Sequence, residues 1–164
     1  MLFNIEIRLV IIVVDVYGES EKMRKMDWLL LVISSAKNGV LTPVQLQKSL
    51  FLIKELDSDL TGDDFYVFKP YNYGPFTAEI YRDAEALEMD GLIVISGSPS
   101  RFREYSITKE GLCKAGEIKK ELAEQAVKFV SEVVAWTQSL TFENLIRAIY
   151  TPFPQYKENS VFSQ

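Results

Sequence analysis

Apolar positions recur along the chain with two periods, and the switches between them mark out the elements. "MDWLLLVISSAKNG" (26–39) is apolar through its first half. It predicts a helix that stops at Asn38-Gly39, two residues that tolerate the left-handed backbone of a helix end. In "LTPVQLQKSLFLIKEL" (41–56), Leu46, Leu50, Ile53 and Leu56 fall at four- and three-residue steps with Phe51 beside them, which predicts one buried helix face. Thr42 is placed to cap this helix. Pro43 takes the first helical position, where a missing N–H is harmless, and Gln45 completes a capping box. "DSDLTGDD" (57–64) predicts a loop.

The period then drops to two. "FYVFKPY" (65–71) predicts an extended strand, with Phe65, Val67 and Lys69 on one side and Tyr66, Phe68 and Pro70 on the other. Pro70 places it at a sheet edge or a strand end. Gly74-Pro75 opens a third helix over 76–90, with Phe76, Ile80, Ala84 and Leu87 inward, Tyr81 beside them, and Gly91 as its stop. "LIVIS" (92–96) and "FREYSIT" (102–108) predict two strands joined by the loop "GSPSR". Thr108 caps a long helix with Leu112, Ala115, Leu122, Ala126, Phe129, Val133 and Trp136 as its inner stripe. Glu110–Lys114 and Glu124–Lys128 are paired on its outside. Thr141 starts a last short helix, "FENLIRAIY", followed by the Pro-rich aromatic segment "TPFPQYKENS".

Residues 1–22 differ from the rest. "IEIRLVIIVVDVYG" (5–18) is β-branched and nearly continuous, yet its uninterrupted apolar run, Leu9 to Val14, is too short to span a bilayer. Glu6 and the lack of a small-residue cleavage site argue against a secretory leader. The segment reads as a buried or edge strand. Met23 and Met26 stand as alternative starts just ahead of the first helix, so 1–22 is either part of the fold or an optional β-rich extension of a domain over 23–164. The order of elements predicts an α+β, mainly α, architecture: a winged helix-turn-helix core with a short β-hairpin wing and further helices C-terminal to it.

Composition narrows the chemistry. At 164 residues the chain fits one domain, and a 48% hydrophobic content suits a packed core. There is no histidine, which removes Ser-His and Cys-His catalysis and the usual zinc and iron sites. The one cysteine, Cys113, excludes an internal disulfide and fits a reducing cytosol; its place beside an inward Leu112 predicts a small, buried or half-buried side chain. No catalytic, cofactor or metal residue is expected. Net charge is −5, which disfavours non-specific attraction to nucleic acid.

Three stretches occur in a set order: "LQKSLFLIKEL", then "FYVFKPYNYGPFTAEIYRDAEALEMDGLI", then "YSITKEG". With the closing "LIRAIYTPFPQYKENS", this order resembles a group of small bacterial and archaeal winged-helix proteins. That group is similar to the phage-associated, Panacea-type antitoxin domains, which include SocA-like proteolytic adaptors. The chain lacks the tryptophan-bearing ending associated with the Panacea domains themselves. The resemblance covers about 26–162 and implies a winged-helix fold and no established catalytic activity, in a group that contains proteins treated as antitoxins or defence-island components.

Two kinds of surface follow as candidates. A DNA-reading role would use the wing arginines Arg101 and Arg103 with Thr77 and Arg82 at the start of the third helix. The outward positions of that helix, however, carry Glu79, Asp83, Glu85, Glu88 and Asp90 against Arg82 alone, a charge that a duplex repels. The better-supported expectation is a protein interface built from Tyr71, Tyr73, Phe76, Glu79 and Asp83, with a toxin or regulator as partner or with a second copy as a homodimer. The aromatics Phe142, Tyr150, Phe153 and Tyr156 either pack back onto this corner or join such a dimer contact. The expected function is therefore that of a non-enzymatic, antitoxin-like interaction module. A DNA-binding transcriptional regulator is the alternative, and no membrane partner is expected.

Overall fold

A computed structural model describes residues 23–98 and 101–162. The β-rich reading of 1–22 lies outside the described residues. Helix α1 spans Lys25–Ser34 and strand β1 Val40–Leu41; α2 spans Pro43–Leu56 and α3 Ser58–Thr61. Strands β2 (Lys69–Tyr71) and β3 (Gly74–Phe76) form a hairpin ahead of α4 (Glu79–Met89). Strands β4 (Ile93–Ser98) and β5 (Arg101–Ile107) form a second hairpin, followed by α5 (Lys109–Glu121), α6 (Glu124–Ser139) and α7 (Phe142–Tyr150). The described chain is thus α+β and mainly helical. Its main sheet is antiparallel with the strands in the order β1-β5-β4.

Helix α1 is the centre of the core. Trp28 to Ile33 are all buried, because α2, α4, α5, α6 and β5 surround it. An all-apolar helix segment has no solvent face to offer and is stable only when enclosed. Its end comes sooner than the Asn-Gly stop predicts. The helix closes at Ser34, and Asn38, at φ 61°, sits in a short 3-10 turn that delivers the chain into β1. Helix α2 forms as its capping residues require: Thr42 accepts from the Gln45 N–H and Gln45 reaches back to the Thr42 N–H. It too is buried nearly all round, including the polar Gln47, Lys48 and Ser49.

Several expectations change. The 65–71 strand shortens to β2, and Phe65 and Tyr66 are both buried, so the alternation fails where the chain is not in a ladder. Gly74-Pro75 does not open a helix. It lies in β3, opposite Tyr71 and Pro70, and α4 begins only at Glu79. Antiparallel ladders alternate bonded and non-bonded pairs. Pro70 and Pro75 face each other and neither has an N–H, so their pair takes the non-bonded position. The 57–64 loop contains the single turn α3, capped by the Asp57 carboxylate. Strands β4 and β5 run further toward their turn than the five-residue "GSPSR" loop predicts, to Ser98 paired with Arg101.

The long helix after Thr108 is two helices. Leu122 and Ala123 are extended and break it, and Leu112 turns outward at 51% exposure. Cys113 beside it is exposed rather than buried. The outer ion pairs form with other partners, Lys114 with Glu117 and Lys128 with Glu132. Helix α7 starts at its Thr141 cap as expected.

Two glycines of α5 separate a packing demand from mere permissiveness. A Cβ at Gly111 would run into the Leu92 carbonyl and the Ile107 side chain, whereas one at Gly116 would meet open space. Gly111→Ala is expected to lower stability by about 2–4 kcal/mol. Gly116→Ala is expected to raise it by up to about 1 kcal/mol, as alanine replaces a helix-interior glycine. Urea unfolding of the two variants checks this, and equal effects would show that α5 does not approach Leu92 and Ile107 closely.

Candidate functional site

The corner at 70–77 is built from below by α2. The apolar stripe Leu46, Leu50 and Ile53 is buried, and the adjacent Gln47 and Lys48 reach another neighbour, the second strand of the small hairpin. The Gln47 side-chain amide makes the two bonds a neighbouring strand would make. Its Nε2 donates to the Thr77 carbonyl at 2.7 Å, and its Oε1 accepts from the Thr77 N–H at 3.1 Å. Lys48 Nζ donates to the Pro75 carbonyl at 2.8 Å. Both side chains are buried, so these bonds are shielded from competing water. Burial pushes the Lys48 pKa down to about 7.

Gly74 is required twice over. Its φ of +90° suits glycine, and a Cβ there would sit 3.2 Å from the Tyr150 ring and 3.6 Å from Lys48 Nζ. From above, the 153–162 segment closes on the same corner. Tyr150 donates its hydroxyl to Ser160 Oγ at 2.6 Å, Ser160 donates to the Asn72 carbonyl, and the Val161 N–H donates to that carbonyl at 3.0 Å. Asn159 reaches the Pro70 carbonyl. Phe51 on α2 packs edge-on against Phe68, Phe153 and Tyr156, and Tyr73 packs edge-on against Phe142. The aromatics near 142–156 therefore pack back onto the corner.

What the corner leaves outside is aromatic. Tyr71 is 52% and Tyr73 45% exposed, Phe142 lies against Tyr73, and Phe76 stacks on Tyr71 at 4.9 Å. The adjoining acids of α4 divide into two groups. Glu79 accepts from Lys25 Nζ at 2.8 Å, and Asp83 accepts from the Tyr66 hydroxyl at 2.7 Å. These bonds tie α4 to α1 and to the 65–68 stretch, around a shallow pocket that Met23, Arg24, Met26 and Asp64 also line. The hydrogen bond to Glu79 raises the Lys25 pKa, and burial followed by the bond to Asp83 holds the Tyr66 hydroxyl far above the usual tyrosine range. Arg82, Glu85, Glu88 and Asp90 stay exposed.

The remaining candidates lie elsewhere. The Thr77 backbone is held by Gln47, and its hydroxyl accepts from the Glu79 N–H. Arg101 and Arg103 are on β5, with Phe102 between them 98% exposed at φ 26°. Arg103 is half-buried. It lies beside Tyr81 and Tyr105, whose rings stack 6.2 Å apart; burial raises both hydroxyl pKa values and the guanidinium opposes this. The structure thus pairs Tyr71 with Phe76 and Tyr73 with Phe142, bonds Glu79 to α1 and Asp83 to Tyr66, and keeps Arg101 and Arg103 on the other hairpin. Among the described residues, no group of three or more Cys, Asp or Glu is arranged to hold a metal ion, and no helix is long and apolar enough to cross a membrane.

Sequence reasoning missed Gln47, Lys48, Asn72 and Ser160 as the parts that hold the corner. The signal was present in two polar residues inside a helix otherwise buried all round, and in the ordered Leu-Gln-Lys, Tyr-Gly-Pro-Phe and Asn-Ser motifs. No protein-family model and no curated protein matches the chain.

Lys48 makes the corner sensitive to pH in a defined direction. Its folded value of about 7 lies below the ordinary lysine value of 10.5. Between these two values the unfolded chain holds a proton that the folded chain lacks, so unfolding free energy rises with pH across that window. Below about pH 7 both states are protonated and this contribution levels off. Urea unfolding from about pH 7 to about pH 9 is expected to show the native protein gaining stability relative to Lys48→Met. Parallel curves for the two proteins would refute the assignment.

Proposed function

We propose that this chain is a non-enzymatic regulatory protein of winged-helix type, antitoxin-like in its mode of action, which works by binding another protein. The order α1, β1, α2, α4, β4, β5, with the sheet order β1-β5-β4, supports the winged-helix reading. So does the ordered set of motifs that resembles the antitoxin-like group.

One observation carries the functional reading: Tyr71, Tyr73 and Phe142 are exposed aromatics at the corner that leads into α4, whose outward acids include Glu85 and Glu88. Aromatic residues anchor protein interfaces because they desolvate large area at little conformational cost. The exposed acids Glu85, Glu88 and Asp90, on α4 and at its end, favour a partner with basic residues. The stretch between α2 and α4 also holds α3 and the β2–β3 hairpin, so the two helices are not joined by the tight turn of DNA-reading helix pairs.

Affinity capture with the native chain is expected to bring down one stoichiometric partner, weakened by salt. Glu85→Lys combined with Asp90→Lys, or Tyr71→Ala with Tyr73→Ala, should release it while the fold persists by circular dichroism. A partner held equally by both variants would sink this reading. Phe102, fully exposed between two arginines on the β4–β5 hairpin, favours a second reading, DNA contact through that hairpin. Salt-sensitive gel retardation lost in Arg101→Ala/Arg103→Ala would establish it in place of the first.

A further inference from the structure

Two shielded donors on β5 lack an acceptor among the described residues. Tyr105 is fully buried, and its strand is the middle one of the main sheet. Arg103 lies two residues away and so on the same face. The Tyr105 hydroxyl and the Arg103 Nε are both buried, and neither has a hydrogen-bond partner among the described residues. Buried polar groups are nearly always bonded, because an unmet donor keeps the whole cost of losing water. Arg103 also joins no ion pair among the described residues. A partly shielded charge without a counter-charge adds to that cost.

The two groups do not meet each other's needs. Burial raises the Tyr105 hydroxyl pKa, and the guanidinium lies close enough to oppose the rise. A tyrosine oxygen can accept one N–H, but its own hydrogen then still needs an acceptor, and arginine has none to offer. Tyr81 of α4 stacks on the Tyr105 ring with the planes 7° apart. Burial raises its hydroxyl pKa too, against the same guanidinium. The carboxylate that acts on Tyr105 is Glu85, which is exposed and joins no ion pair among the described residues. Glu104, next to Arg103, projects from the other face of the strand. Arg103 and Tyr81 are only half-buried, so these donors are reached from solvent.

We propose that Arg103 and Tyr105 hold a phosphate group where Tyr81 of α4 meets β5. The fork of one guanidinium takes both oxygens of a carboxylate. The hydroxyl beside it is a further donor, and a tetrahedral phosphate has a third oxygen to give it. Free phosphate and the phosphodiester of a nucleic acid share this chemistry. The site bears on the DNA contact considered for the β4–β5 hairpin but does not depend on it, since a free phosphate satisfies the same donors.

Calorimetric titration of the full chain with sodium phosphate, at an ionic strength held constant with chloride, tests this. Phosphate is expected to bind, and acetate to bind about tenfold more weakly or worse, having no oxygen for the hydroxyl. Arg103→Lys keeps the charge but loses the fork, and Tyr105→Phe removes only the hydroxyl; each should weaken phosphate about tenfold or more. Glu85→Gln removes a repelling charge and should tighten it. Unliganded stability gives a readout that a bond within the fold would move the other way. Tyr105→Phe should be as stable in urea as the native chain, or more stable, because an unmet donor is gone. Phosphate should raise the unfolding midpoint of the native chain and leave that of Tyr105→Phe in place. A clearly less stable Tyr105→Phe chain would show the hydroxyl bonded within the fold and overturn the proposal. Phosphate bound no better than acetate, or equally by the native and Tyr105→Phe chains, would overturn it too. A short DNA duplex separates the sources. Competition with phosphate assigns the group to a nucleic-acid backbone, and phosphate binding without competition assigns it to a small phosphate. Duplex binding that needs Arg101 and Arg103 but survives Tyr105→Phe, with no phosphate bound, would leave the DNA contact standing and end this proposal.

Discussion

Everything at the 70–77 corner depends on two buried polar side chains one position apart on α2. Gln47 replaces a missing strand neighbour for Thr77, and Lys48 takes the Pro75 carbonyl. Without them, two backbone carbonyls and one N–H would be buried without partners, and such groups cost far more than an average hydrogen bond returns. The β2–β3 hairpin has only three residues per strand and two prolines, so its own ladder is too short to hold a shape. Its geometry is borrowed from the helix beneath, and the positions of Tyr71, Tyr73 and the start of α4 follow from it.

Elements with strong local signals were legible in the sequence. Thr42, Thr108 and Thr141 each accept the N–H their position predicts, and α2, α5 and α7 begin where those caps stand. Ends were less legible, because tertiary packing sets them. Nothing local in Leu122-Ala123 demands a break, but α5 packs on α1 and α6 on α2, and one straight rod cannot serve both. The Gly-Pro corner misled for a related reason. Gly-Pro ahead of an amphipathic run suits a helix start, and only the opposing Tyr71 and Pro70 make it a strand. The clamp itself was present as motifs without a mechanism. Its bonds join residues 27 to 89 positions apart, a distance no periodicity reports.

The acids of α4 illustrate how one charge pattern serves two purposes. Read along the helix, they form a single negative face. In three dimensions Glu79 and Asp83 are turned into the fold, where Lys25 pairs with Glu79 and the Tyr66 hydroxyl donates to Asp83, and Glu88 is bonded to a strand. Glu85 and Asp90 stay in solvent. Half-burial makes the inner pair structural: removing Glu79 would leave Lys25 without its nearest counter-charge, whereas removing Glu85 disturbs no contact of this kind.

The bonds from Asn159, Ser160 and Val161 to Pro70 and Asn72 also order events in time. A ribosome makes the hairpin long before it makes the segment that covers it. Until residues 142–156 have emerged, the Phe51 ring lacks Phe153 and Tyr156, and Tyr73 lacks Phe142. Contacts of such long sequence separation form late and slow folding. A nascent chain halted between α4 and α7 therefore presents an open aromatic surface, the kind that chaperones hold and that aggregation exploits. The 142–162 segment is what covers its Phe51 side.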